Sequence, residues 1–121
     1  MFLATVNKAK QLLYLSYIEH VRVEELAQAR EGVVALLADL PRGFRVVTDL
    51  GRLDSMDVKC AKEIGKMMEL CDQKGVKLVV RVIPDPTKDI GLNIISKFHY
   101  KHSPRVVTCD TMVEAAKLLG L

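Results

Sequence analysis

Four apolar runs, each followed by a segment of helical periodicity, constrain this chain more than any other feature. They are Leu12–Ile18, Phe44–Asp49, Val76–Ile83 and Arg105–Cys109. A strand-helix unit that repeats without a short hairpin between strands needs crossover connections, and these give mostly parallel strands. Phe2–Val6 precedes the first run across Asn7-Lys8-Ala9-Lys10, whose turn chemistry makes an opening hairpin. The order is therefore β-β-α-β-α-β-α-β-α. This is an α/β fold with a mostly parallel sheet of about five strands and about four helices.

The helices carry their own signals. From Val23 to Leu40, the residues Leu26, Ala29, Val33, Leu36, Leu37 and Leu40 fall on one stripe, and Pro41 and Gly43 stop it. From about Met56 to Lys74 the buried stripe is Cys60, Ile64, Met67, Met68 and Cys71, with Asp54 or Ser55 as cap and Gly75 at the left-handed C-terminal position. Asp85-Pro86 opens a third helix, expected to run to Tyr100 and to bury Ile90, Ile94 and Phe98. Asp110 or Thr111 caps the last, whose apolar face is Met112, Ala115, Ala116 and Leu119. No linker or composition shift divides residues 1–121, so one domain is expected.

Strand alternation sorts the sheet into two faces. Phe44, Val46, Val76, Leu78, Val80, Val82 and Val106 are expected on one. Arg45, Lys77, Arg81 and Arg105 are expected on the other, mixed with Val47, Val79, Ile83 and Val107. Charges on that second face imply that helices cover one side heavily and leave the other partly open, or available to a partner.

Composition narrows the function classes. The net charge is only +3, with no basic run or aromatic-interleaved patch, so nucleic-acid binding is not expected. Asn7, Lys8 and Lys10 interrupt any signal-peptide core, and no apolar stretch approaches a membrane span. A cytoplasmic protein, not integral to a membrane, is the expectation. Cys60, Cys71 and Cys109 match no zinc spacing and read as small buried hydrophobes, with no metal or other cofactor implied. Gly51 and Gly91 are isolated and do not make a phosphate-binding loop.

In order along the chain, the pattern resembles a STAS domain, the fold of the sporulation anti-sigma-factor antagonists, and in particular the SpoIIAA-like group of small bacterial proteins. The likeness rests on the opening hairpin, helix Val23–Leu40 and Asp49-Leu50-Gly51, where the family has Asp-Leu-Ser/Thr. It also rests on Thr111-Met112-Val113-Glu114-Ala115-Ala116, similar to a Ser-x-x-Glu-Ala last helix. Met56-Asp57, Lys74-Gly75-Val76, Val80-Arg81-Val82-Ile83-Pro84, Asp89-Ile90-Gly91 and Phe98-His99-Tyr100 point to the SpoIIAA-like group. The resemblance implies a fold used chiefly for protein–protein recognition. In the antagonists the loop continues Phe-Met-Asp-Ser-Ser-Gly, and a serine there is phosphorylated. Here Met56-Asp57 match, but Val58 and Lys59 stand at the serine positions and Cys60 at the glycine. The phosphorylation switch does not carry over.

Two groups of residues remain as candidate sites. Asp49, Gly51, Asp54, Ser55, Asp57 and Lys59 form the expected partner-binding loop at the carboxyl edge of the sheet, where such folds meet ligands. Ser55 reads as a cap, and Asp49 as an acceptor for amides around Gly51. A receiver-type phosphoaspartate at Asp49 is rejected, because neither an acidic pair nor a lysine follows the neighbouring strands. Arg81, Asp85, Asp89, His99 and Tyr100 form a possible ligand site, with no catalytic spacing among them. The leading expectation is a non-catalytic interaction or regulatory module with a protein partner, a second copy of the chain included. The alternatives are a small-ligand binder for a lipid or nucleotide, with a pocket between the Pro84–Ile90 and Asp49 loops and Met67, Met68 and Met112 as plastic walls, and an enzyme using His99.

Overall fold

The computed structural model describes residues 1–89 and 91–121. Strands β1 (Phe2–Asn7), β2 (Leu12–Val21), β3 (Arg45–Met56), β4 (Leu78–Val82) and β5 (Arg105–Cys109) lie side by side in that order. β1 runs antiparallel to β2, and all later pairs are parallel. The helices are α1 (Val23–Ala38), α2 (Cys60–Lys74), α3 (Leu92–His99) and α4 (Met112–Leu118), with a 3-10 turn at Pro86–Lys88.

The strand order explains the uneven cover. Each crossover from β2 to β5 steps to the next strand in the same direction, and right-handed connections then place every crossover helix on one side. Accordingly Leu26, Val33 and Leu37 of α1, Ile64, Met67 and Cys71 of α2, and Leu92 of α3 share one core with Leu13, Val46 and Val79. Only α4, which follows the last strand, reaches the other side, where Ala115 and Leu119 meet Leu12, Val47, Val80, Val82 and Cys109. Arg45 fastens that thin layer, donating to the carbonyls of Leu119 and Lys10.

Several expectations change. The registers Leu13–Val46–Val79–Val106 and Leu15–Thr48–Arg81–Thr108 put paired residues on one face. Val79, Arg81 and Ile83 therefore belong with Val46, and Val80 and Val82 with Val47. The expected grouping failed because strand parity cannot be transferred between strands without their register. Arg81 consequently points under the helices. β3 continues through Gly51 to Met56, because its pairing with β2 resumes after register shifts near Ser16/Ile18 and Glu19/His20. Asp49, Gly51, Asp54 and Ser55 therefore lie on a strand, not in a loop. Gly51 serves close approach and not a turn: a Cβ there would stand 3.0 Å from Asp49 Oδ1. α2 begins at Cys60 rather than Met56, so neither Asp54 nor Ser55 caps it.

The expected helix from Pro86 to Tyr100 divides into the 3-10 turn and α3, with Gly91 left-handed at φ 74 before α3. Ile94 and Phe98 are 64% and 73% exposed, and Leu92 and Ile95 face the core instead. Ile90 lies outside the described residues. On α4, Met112 and Ala116 flank the buried pair Ala115 and Leu119, with Met112 exposed. Gly75 is left-handed at φ 93, where the sequence placed the C-terminal cap of α2. No helix is long and apolar enough to cross a membrane among the described residues.

Candidate functional site

The carboxyl ends of β2 and β3 project past β4 as a two-stranded extension, anchored by buried Leu50 and Leu53. At its tip three side chains from the two strands converge. Ser55 Oγ lies 2.7 Å from His20 Nδ1, and His20 Nε2 donates to Asp57 Oδ1 at 3.1 Å. Because a carboxylate only accepts, the neutral ring carries its proton on Nε2, and Nδ1 receives the Ser55 hydroxyl. Asp57 Oδ2 accepts the Val23 N–H at 3.2 Å, one of the orphan donors at the start of α1. One carboxylate thus ties the strand ends to a helix it does not belong to. Replacing Asp57 with alanine is expected to lower stability by about 1 kcal/mol, as for a lost cap; urea denaturation measures it.

The sequence alone does not bring His20 to this site, because only the pairing of β2 with the far end of β3 carries it to Ser55. Glu19 beside it holds φ 57, the left-handed region unusual for a side chain with a Cβ, at the register shift that aims His20 outward. The chain then turns into α2 through Val58, 93% exposed, and Lys59. Met56, Asp57, Val58, Ala61 and Ile64 line a shallow hollow of about 270 Å³ there. Of the six residues expected to meet a partner, Ser55 and Asp57 join His20 at this tip. Asp54 is exposed on β3, and Lys59 stands beside Val58. Asp49 and Gly51 lie deeper: Asp49 accepts from Tyr14 Oη at 2.5 Å and from the Gly51 N–H at 2.8 Å. Burial, then the Asp49 hydrogen bond and charge, push the Tyr14 phenol up.

The second expected group does not assemble as a unit. Arg81 and Tyr100 line one small cavity under α2 and α3. Asp85 is exposed and accepts from the Thr87 N–H and hydroxyl at 3.0 and 2.8 Å, which, ahead of the Lys88 charge, hold its carboxyl below the usual range. Asp89 Oδ1 accepts the Leu92 N–H at the start of α3. His99 sits against the α2 backbone at Gly65, its Nδ1 donating to Glu69 Oε1 at 2.6 Å. Asp72, which carried no functional signal in the sequence, is 4% exposed and accepts from the Lys101 and His102 N–H groups and from His102 Nδ1. Burial acts to raise its pKa, but the His102 and Lys101 hydrogen bonds outweigh this and hold it low.

Cys60, Cys71 and Cys109 are all buried, and burial pushes the Cys71 thiol up to about 12. No group of three or more His, Cys, Asp or Glu side chains could hold a metal ion among the described residues.

No family model matches the sequence, and no curated protein does. Solved structures do match over nearly the whole chain. SpoIIAA, an anti-sigma factor antagonist, in its unphosphorylated form superposes at TM-score 0.65 with 16% identity, over 99% of this chain and 98% of that one. Phosphorylated SpoIIAA, described as a Bacillus cell fate determinant, gives 0.64 and 12%, over 98% and 99%. An uncharacterised protein of the DUF3478 family from Shewanella loihica PV-4, with a SpoIIAA-like fold, gives 0.71 and 14%, over 98% and 92%. At these identities the likeness is one of fold: this chain has the SpoIIAA-like (STAS) fold.

Proposed function

We propose that this SpoIIAA-like fold serves as a non-catalytic regulatory module that binds a protein partner through the tip of β2–β3 and the start of α2. The observation that carries the reading is Val58. A β-branched apolar side chain 93% exposed at a helix start buries nothing in the isolated chain, and it adjoins an apolar hollow rimmed by Asp57. Asp54 and Asp57 nearby favour a partner that brings a cationic group beside an apolar one. SpoIIAA is an anti-sigma factor antagonist, known in phosphorylated and unphosphorylated forms. Val58 and Lys59 stand where the resemblance expects its phosphorylatable serine, so this module would bind without that switch.

The test is a matched pair of full-length chains, native and Val58→Asp, used to isolate partners from the source cells and to measure binding to the protein recovered. Val58 contributes no core packing, so the folded stability is expected to change by less than about 0.5 kcal/mol. Binding is expected to weaken at least tenfold, as for a central apolar contact worth about 1.4 kcal/mol or more. Equal binding by both chains would remove this surface from the interface.

A further inference from the structure

β5 is an outer strand of the sheet, paired with β4 on one side and, among the described residues, with no strand on the other. Its hydrogen bonds tell the two sides apart. The Arg105 N–H donates to the Lys77 carbonyl at 3.1 Å, and the Cys109 carbonyl accepts the Ile83 N–H at 2.9 Å. In a strand the N–H and C=O of one residue point to the same side, and the side alternates from residue to residue. Arg105, Val107 and Cys109 thus face β4. Val106 and Thr108 turn their N–H and C=O groups to the open edge, where among the described residues no backbone group meets them.

Positive charge gathers along this edge. From residue 90 to residue 109 the chain has Lys97, Lys101 and Arg105 and no acidic residue. All three are exposed, and among the described residues none pairs with a carboxylate. The acids of α2 that reach this segment are already engaged, Glu69 by His99 and Asp72 by His102. Beside the strand, Ser96, Lys97, Tyr100, Ser103, Pro104 and Val106 line an open hollow of about 310 Å³. Lys97 gives its wall a positive charge, and the serines bring hydroxyls. A short strand behind a proline, flanked by cations, repels its own copies. The same cations attract a strand of opposite charge.

We propose that the open edge of β5 binds an acidic peptide in extended conformation, its backbone pairing with Val106 and Thr108 and its carboxylates meeting Lys97, Lys101 and Arg105. Main-chain hydrogen bonds hold such a peptide, and its alternate side chains supply selectivity. A second copy of β5 would bring like charge to the same place and is disfavoured. The site is separate from the Val58 surface, and either can fail without the other.

The experiment titrates acetyl-Glu-Val-Glu-Val-Glu-amide into the ¹⁵N-labelled full chain, with acetyl-Gln-Val-Gln-Val-Gln-amide as control. The expected result is a saturable shift of the Val106 and Thr108 amides, whose hydrogen exchange slows at least about tenfold on binding. The glutamine peptide is expected to bind at least about tenfold more weakly, and the acidic one to weaken as salt rises. Lys97→Gln combined with Lys101→Gln leaves the backbone edge intact, and a several-fold weakening is expected. Thr108→Pro deletes one outward N–H and keeps every cation; an edge strand tolerates proline there, and a loss of about tenfold is expected. No saturable shift, or equal binding by the glutamine peptide, would overturn the proposal. Binding that left exchange at Val106 and Thr108 unchanged would also overturn it, since charge alone would then attract the peptide. So would concentration-dependent protection of these amides in the chain by itself, which would assign the edge to a second copy. Should Thr108→Pro not fold, amide exchange in the native chain decides it.

Discussion

Asp72→Ala is expected to destabilise the protein by about 3 kcal/mol. The Asp72 carboxylate is buried at the end of α2 and receives three donors from the turn after α3: the Lys101 N–H at 3.2 Å, the His102 N–H at 3.1 Å and His102 Nδ1 at 2.8 Å. Alanine takes the buried acceptor from two backbone donors of a part-buried turn, and a hydrogen bond to a charged group is worth about 1.5–3 kcal/mol. His102→Ala removes only the exposed ring contact and is expected to cost about 0.5 kcal/mol. Urea denaturation of the two variants separates these contributions. The pH dependence carries a definite sign. The folded carboxyl is held below its ordinary value of 3.8, so the unfolded chain binds the proton more readily. The stabilisation is thus fully present above that value and is lost as pH falls through the lower, folded one. The gap between native protein and Asp72→Asn should therefore close in acid. A gap that widened in acid would overturn this assignment.

Gly65→Val is expected to cost about 2–3 kcal/mol and to loosen α3 first, because α2 and α3 approach through a position where any Cβ collides. A Cβ at Gly65 would stand 2.5 Å from His99 Nε2 and 2.8 Å from its neighbouring ring carbons. Two bulky groups cannot share that space without moving the helices apart. Trypsin should then cut at Lys97 and Lys101 faster than in the native protein, with the strands still protected. Alanine at the same position provides a sharper test. In a helix interior alanine is favoured over glycine by about 1 kcal/mol, yet here it must displace the His99 ring from Glu69. Gly65→Ala is therefore expected to be neutral or destabilising in the native chain and stabilising by about 1 kcal/mol in His99→Ala. That inversion of sign is read from four urea curves. Additive effects would show that Gly65 is there for another reason.

His99 and Asp72 illustrate why the candidate sites were only partly legible. Imidazole and acid were both visible as residue types, but the spacing of Asp85, Asp89 and His99 along one expected helix gave His99 no acidic partner. The structure instead breaks that helix around Gly91 and pairs His99 with Glu69, thirty positions away. Similarly, Ser55 reads as a cap only if a helix begins near Met56, and α2 begins at Cys60. Its actual neighbour, His20, comes from a strand whose register with β3 shifts twice. The stripe of α3 was misread for a related reason. Ile94 and Phe98 share one face, Leu92 and Ile95 another, and both faces of so short a segment look apolar in sequence.

By itself the sequence determined the element order, the single parallel sheet with its opening hairpin, the buried stripes of α1 and α2 and the left-handed stop at Gly75. These follow from local propensities: side-chain period, the breaking power of proline, and glycine's tolerance of positive φ. Tertiary structure alone decided which side of the sheet each strand residue faces, where β3 ends, and that Arg81 is buried. Those outcomes depend on strand register, a long-range pairing in which a slip of one residue exchanges the two faces. Periodicity could place Arg81 opposite Val80 and Val82, but only the pairing Leu15–Thr48–Arg81 turned it inward, under α2 and α3. The same register carried Ser55 and Asp57 to His20 and left Val58 in solvent.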